Sequence, residues 1–364
     1  MIPAAYRFRS ESDEAAPTRL VEVDDRLTAD AALRQVRGGA FLLYTGDFHN
    51  AKQLLGAMGR RLPSTYVRGA SAGDRFRAER RARALEHDTL SRVLVALDDR
   101  WRLHLARAPD VAAVCGEVWG RAEGVTLVPL KTLLGMLGAA QWRSKGLAVP
   151  GLKGTLTPHW GVYVPTRTDY VELLAGAVKD VAGQRVLDVG TGTGVLALLL
   201  LQRGAAHAIG TDCDPRALAC ARANAKKLKL EAKFEALEAD LFPPGDARFD
   251  LIVSNPPWIP EAPKNRVDRA VFDEDNRFVR TLLSGASERL TPRGQVLLLM
   301  SDLAVHLHLR EATWLEQRIA EAGLVVAWRR DVRAKHGRAK DRGDPLHEAR
   351  SKETTTLYAL ERRG

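Results

Sequence analysis

From about residue 166 onward, short apolar runs alternate with amphipathic stretches. Runs at 185–189, 207–211, 233–237, 249–254, 295–300, 324–328 and 354–360 read as strands, being brief, aliphatic and bounded by Gly, Pro or Asp. Between them, 195–203, 215–228, 274–290 and 311–322 carry helical patterning. Pro215 opens the second of these helices and Asp214 is placed to cap it. Regular strand-helix alternation predicts a parallel sheet covered on both faces. The last two runs have no helical pattern between them, which predicts an antiparallel edge.

The preceding part is patterned less regularly. Residues 41–44 after Gly38 and Gly39 predict a buried strand, and 51–61 a helix ended by Pro63. Apolar alternation at 93–97 and 101–105 around Asp98, Asp99 and Arg100 predicts a β-hairpin. Residues 109–119 predict a helix with Pro109 at its start, and 125–128 a short strand. Gly146, Pro150, Gly151, Gly154 and Pro158 mark 146–158 as a linker or domain boundary. The expected organisation is a disordered polar tail at 1–18, a smaller α/β substrate-recognition domain at 19–150, and a catalytic α/β domain at 151–364.

Composition narrows the classes. With 45% hydrophobic and 27% charged residues the chain has the profile of a soluble globular protein. No apolar run reaches the ~18–20 residues of a membrane helix, and residues 1–20 lack the apolar core of a signal peptide. A cytoplasmic protein without a membrane partner is expected. Cys115, Cys213 and Cys220 form no CxxC pair, so neither a disulfide framework nor a metal site is expected.

The net charge of +10 favours polyanionic partners, of which RNA is the commonest in the cytoplasm. Arg75, Arg77, Arg80, Arg81 and Arg83 form one basic cluster; Arg329, Arg330, Arg333, Lys335, Arg338, Lys340 and Arg342 form another. Only Phe76 and Trp328 adjoin them, which suits phosphate contact better than base stacking. Two solvated loops give the same pattern.

Two turns carry candidate chemistry. Asp188, Val189, Gly190, Thr191, Gly192, Thr193 and Gly194 leave a strand and enter a helix, where glycine allows tight geometry and close ligand approach. The strict G-x-G-x-x-G fingerprint is absent, although Gly192, Gly194 and Ala197 meet its relaxed form. Alone, this turn fits a dinucleotide site or a plain tight turn. Asp212 ends the next strand, where an acid binds ribose hydroxyls in nucleotide folds. Asp240, followed by Leu241, ends the third strand and is placed to accept from an adenine amino group.

The second turn, Asn255-Pro256-Pro257-Trp258, follows the strand at 249–254. Successive prolines fix φ and remove donors, leaving Asn255 Oδ1 and the Pro256 carbonyl as two acceptors in a rigid frame. An NH₂ group offers two donors, so this frame would aim a planar nitrogen's lone pair. Trp258 offers a flat stacking face. Such an arrangement suits transfer chemistry governed by positioning, with no metal needed.

Together these residues resemble the class I S-adenosylmethionine (SAM)-dependent methyltransferases. Within them the chain is similar to the methyltransferase small group, which includes release-factor glutamine methyltransferases and rRNA guanine-N2 methyltransferases. The resemblance covers about residues 155–360. It implies a Rossmann-like seven-stranded sheet, mostly parallel. It also implies SAM held by Asp188, Gly190, Thr191, Gly192, Gly194, Asp212, Asp240, Leu241 and Asn255, with Asn255, Pro256 and Trp258 catalytic. Tyr163, Thr166 and Arg167 precede the first sheet strand, where related enzymes line the pocket; with Trp258 they are the substrate-binding candidates. His159 has no visible partner and reads as a packing or surface residue.

Two departures bear on the substrate. Trp258 stands where Tyr or Phe is usual, and the first domain lacks the helical pattern of the glutamine enzymes, looking closer to the α/β half of some rRNA enzymes. The implied activity is N-methylation of an exocyclic base amine in RNA such as rRNA. The alternatives are protein-glutamine N5-methylation of a release factor and a non-catalytic SAM- or RNA-binding module.

Overall fold

The computed structural model describes residues 5–10, 16–63, 70–165, 167–334 and 337–364. Thr166 and Lys335 lie outside the described residues. The chain divides into two compact units, one formed by 1–69 with 77–141 and the other by 70–76 with 142–364.

The first unit holds a five-stranded sheet of β1 (Arg7–Phe8), β2 (Leu20–Val23), β3 (Phe41–Tyr44), β4 (Val93–Leu97) and β5 (Thr126–Pro129), in the order β1-β5-β4-β3-β2. Strands β2, β3 and β4 are parallel, and β5 is antiparallel to β4. Leu43, Leu94 and Leu127 are buried at its centre.

Three expectations for this region are corrected. The segment 1–18 is not wholly a tail, because Arg7 and Phe8 pair with Thr126 and Leu127 and the Phe8 ring meets Phe41 edge-on at 6.0 Å. A two-residue strand has no periodicity to read; the free edge of β5 recruits it. The hairpin at 93–105 reduces to one bridge, Leu97 to Leu103, because β5 and not the neighbouring segment takes the edge of β4. The arginine-dense stretch lies on a helix, Ala72–Leu90, rather than a loop.

The second unit opens with a hairpin, β6 (Leu147–Ala148) and β7 (Thr155–Leu156). The change of unit falls at 141/142, just before the segment 146–158, which is itself packed rather than a free linker: Val149, Leu152 and Leu156 are buried in this unit's main core with Leu174 and Leu199. Gly151 is there for close packing, since a Cβ would lie 2.4 Å from that of Ala175. Its composition signals tight approach, not flexibility.

Seven strands follow: β8 (Arg185–Val189), β9 (His207–Asp212), β10 (Phe234–Glu238), β11 (Phe249–Ser254), β12 (Leu290–Ser301), β13 (Leu324–Arg333) and β14 (Thr354–Arg362). Their order is β10-β9-β8-β11-β12-β14-β13, parallel except for β14. The antiparallel edge is as expected, although two short helices, Gly337–Lys340 and His347–Lys352, lie in the connection read as helix-free. The helix Val195–Gln202 is buried almost throughout, which explains its uninterrupted leucines.

The chain reverses direction across the sheet between β8 and β11. In such sheets ligands bind beyond the carboxyl ends of the strands at that switch point. Val189 pairs with Ser254, and the Ser254 hydroxyl donates to the Val189 carbonyl at 2.8 Å. Gly190 and Asn255 follow one residue later on each strand, so tertiary pairing sets the two motif turns side by side.

Candidate active site

The glycine turn is built around two carboxylates. Asp188, fully buried, accepts from Thr191 Oγ1 at 2.8 Å and Ala197 N at 3.2 Å through one oxygen. Its Oδ1 is buried with no partner. Burial pushes this carboxyl up to about 7; the bonds from Thr191 and Ala197 oppose the rise and the charge of Asp212 adds to it. Thr191 thus turns its hydroxyl inward and acts through the turn instead of projecting as a ligand.

Asp212 accepts from Gly192 N at 3.0 Å and Asp214 N at 3.0 Å, bracing the turn with one oxygen and the next helix with the other. Burial raises its carboxyl too. Each oxygen keeps a second lone pair for a hydroxyl donor. Asp214 caps the helix Pro215–Lys227 through Arg216 N, as expected. Gly194 has φ +83°, and a Cβ there would sit 3.3 Å from that of Ala221, so glycine alone suits this position.

Asp240 lies just beyond β10, exposed and ion-paired with Arg277. That pairing raises the Arg277 guanidinium's pKa. Leu241 has φ +75°, is buried, and accepts from Thr211 Oγ1 at 2.6 Å through its carbonyl, so it fixes the backbone beside Asp240. Sequence reasoning missed Arg277 and Phe278. They begin an ordinary amphipathic helix, and only the fold lays the Phe278 ring against Gly190, 3.3 Å from where a Cβ would stand.

In the second turn Asn255 is half-buried and its Oδ1 is enclosed without a partner; Pro256 and Pro257 are buried. Trp258 donates from Nε1 to the Leu299 carbonyl at 3.1 Å, and the Arg167 guanidinium lies over its ring at 4.9 Å. Ile259 follows, buried with Phe76, Leu307 and Leu346 and paired with the Val271–Asp273 backbone. Trp258 is therefore a fixed, half-covered wall of the turn and not a free stacking platform.

Of the remaining candidates, Tyr163 is half-buried and burial raises its phenol, with Arg167 opposing. Arg167 is bound to Asp169 and Glu353. His159 is half-buried, pushed down by burial and then by Arg143. Strand β13 runs parallel to β12, so Arg329, Arg330 and Arg333 stand toward the same carboxyl end as the two turns, with exposed Arg338, Lys340 and Arg342 after them. Among the described residues no helix is long and apolar enough to cross a membrane, and no group of side chains has the makeup of a metal site.

Comparison with known proteins matches residues 153–325 to the methyltransferase small domain family. The tRNA1(Val) (adenine(37)-N6)-methyltransferase of Porphyromonas gingivalis is 38% identical over 160 residues, 40% of this chain and 63% of that protein. The release factor glutamine methyltransferase of Agrobacterium fabrum is 32% identical over 194 residues, 52% of this chain and 62% of that protein. That of Deinococcus radiodurans is 37% identical over 167 residues, 43% and 55% respectively. The chain thus spans between 55% and 63% of the length of these curated relatives. The similarity to the methyltransferase small domain family thus lies in residues 153–325, within the second unit.

Proposed function

We propose that the second unit is a SAM-dependent N-methyltransferase acting on an exocyclic base amine in cytoplasmic RNA. The carrying observation is the buried, unpartnered Asn255 Oδ1 set beside the glycine turn at the sheet's switch point. A buried acceptor without a donor is costly and is kept where a ligand supplies one.

The residues fit SAM. Asp188 Oδ1 is an enclosed orphan, Asp212 is a carboxylate on the turn, Asp240 is one just beyond β10, and the glycine backbone admits close approach. Asp212 would hold ribose hydroxyls, Asp240 the adenine amine, and the turn at 188–194 the methionine portion. When bound, SAM supplies a methyl group already activated by its positive sulfur.

The chain's own work is positioning. Asn255 Oδ1 and the Pro256 carbonyl accept the two N–H bonds of a substrate amine, which fixes the plane of the nitrogen and directs its lone pair. The same acceptors take up the proton-bearing nitrogen as its positive charge develops. The nitrogen held by Asn255 and Pro256 would take the methyl group from bound SAM, which would leave as the neutral thioether, and would release its extra proton to solvent.

RNA is supported by the basic strip at the carboxyl end of β13, where phosphate contacts belong beside a base presented to Asn255. The first unit, with Arg77, Arg80, Arg81 and Arg83 on one helix, is read as a substrate-recognition module. A protein glutamine amide fits the same two acceptors, and the release-factor relatives favour that second reading. Tritiated SAM supplied with ribosomal RNA, transfer RNA, ribosomal subunits or release factors decides between them. Label in RNA is expected; label confined to protein overturns the RNA reading.

A further inference from the structure

Arg167 was expected to contact substrate, yet its donors are spent inside the protein. Nε and Nη2 donate to the Asp169 carboxylate at 3.3 and 2.6 Å, Nη1 to Glu353 Oε1 at 2.7 Å, and Nη2 also to Thr355 Oγ1 at 3.1 Å. Four of its five N–H groups are used by these bonds. Its side chain is 17% exposed, that of Asp169 10%, and that of Glu353 not at all.

Ser301 Oγ adds a further bond to Glu353 at 2.6 Å, and Thr355 donates to Asp169 at 3.2 Å. The network ties the end of β12, the start of β14 and the first turn of the helix Asp169–Ala177, all at the carboxyl end of the sheet. Burying such a group is costly, and apolar packing would fill the same space at least as stably. What an apolar filler could not do is hold a planar cation against an indole.

We infer that Arg167 is a positioning residue for the reaction turn: with Asp169 and Glu353 it clamps the plane of Trp258 and thereby the acceptors of Asn255 and Pro256. This rests on reading that turn as the site of methyl transfer. Two constraints define the indole, the bond from Nε1 to the Leu299 carbonyl at its edge and the guanidinium over the ring. Pro256 and Pro257 have locked φ and carry that orientation back to Asn255. The indole N–H also explains the use of Trp at this position, because phenylalanine has no donor for Leu299 and a phenol carries its donor at the far tip of the ring.

Removing Arg167 alone leaves two buried carboxylates, so the main test variant is Arg167→Met with Asp169→Asn and Glu353→Gln. Single-turnover methyl transfer to bulk ribosomal and transfer RNA, RNA KM, SAM Kd by calorimetry and thermal melting are measured together. A small displacement of a reacting group costs on the order of 100-fold, so the transfer rate is expected to fall by roughly 30- to 100-fold. RNA KM and SAM Kd should stay within about threefold, because nothing that binds either is removed.

Arg167→Lys keeps a charge for the carboxylates but loses the planar stack, so it should fold even if the triple variant does not. It should show the same split at smaller size. In a Trp258→Ala background, loss of Arg167 should add no more than about twofold, since coupled residues are not additive. An unchanged transfer rate in the folded triple variant, or losses that multiply with Trp258→Ala, overturns the inference. So does a raised RNA KM with an unchanged rate and a shallower salt dependence, which would make Arg167 a phosphate contact. A fully active Asn255→Ala control is a separate outcome: it refutes the reading of the turn itself, and the clamp with it.

Discussion

In the first unit, parallel strands β2, β3 and β4 each run into an aspartate at or just past the carboxyl end, and each aspartate is satisfied from within. Asp25 accepts from the Tyr44 hydroxyl at 2.6 Å and Asp47 N at 3.0 Å. Asp47 accepts from His49 N, Asn50 N and the Arg107 guanidinium. Asp98 takes the backbone of Arg100 and Arg102 and the side chains of Arg102 and His104. In the second unit, the corresponding ends of β8 and β11 carry Asp188 Oδ1 and Asn255 Oδ1, both buried and both without a partner.

The pKa directions follow this division. The Tyr44 hydroxyl, then the Asp47 amide, hold Asp25 low, and the Arg107 guanidinium holds Asp47 down to about 2. Burial pushes Asp98 up, but its several donors, Arg102, His104 and Arg100, together outweigh it and hold the carboxyl low. Burial instead drives Asp188 up to about 7. Similar strand ends therefore serve different purposes. A carboxylate closed by its own chain is a brace, whereas one left buried and open is a place prepared for something else.

The comparison breaks most sharply at Asn255. Asn255→Ala should lower methyl transfer by about 100- to 1000-fold, the scale of losing a preorganised acceptor or donor at a developing charge. SAM affinity by calorimetry should change by less than about threefold, since only uniform binding would be altered otherwise. Asp47→Asn in the first unit should leave transfer within about twofold, because no reacting group is altered. Equal losses in both variants would abolish the distinction between the two strand ends.

Asp188 gives the next largest effect. Its folded carboxyl keeps a proton to higher pH than the unfolded one, near 4, so the folded state binds more protons between about 4 and 7. Stability should therefore fall as pH rises through that window, by up to about 4 kcal/mol. Urea unfolding of Asp188→Asn across the same range should show this fall removed; a parallel profile would mean that the carboxyl is not raised.

At the basic strip, Arg329→Gln with Arg333→Gln should reduce the slope of log affinity for RNA against log salt by about 2. Affinity at low salt should drop while the single-turnover rate at saturating RNA is kept. An unchanged slope would return these arginines to a solvated surface.

Asp47 provides the smallest effect, with the opposite pH sign. Its lowered carboxyl stabilises the fold above the unfolded pKa, near 4, and that contribution is lost as pH falls toward about 2. Asp47→Asn should lower the melting temperature by a few degrees at neutral pH and converge with the parent in acid. Scanning calorimetry from neutral to strongly acid pH checks this.

Much of the second sheet is legible because its strands are apolar and its helices are punctuated by Pro215, Gly194 and Asp214. Burial on both faces of a parallel sheet imposes that pattern locally. The first sheet reads poorly where pairing is non-local, as at Arg7–Phe8 and Thr126–Pro129, because the partners lie far apart in sequence. The segment 146–158 was misread for another reason: glycine serves both turns and close packing, and only Ala175 opposite Gly151 tells which.

By itself the sequence determined the local chemistry: the glycines that need positive φ, the two prolines that stiffen a turn, and the carboxylates that end strands. These follow from each residue's own backbone freedom and hydrogen-bonding capacity. Tertiary structure alone decided which groups were left open. Thr191 turned inward onto Asp188, Arg167 left the substrate side for Asp169 and Glu353, and Trp258 was pinned to Leu299. Whether a polar atom is satisfied depends on partners brought close by strand pairing. The neighbours of a residue in sequence do not specify that.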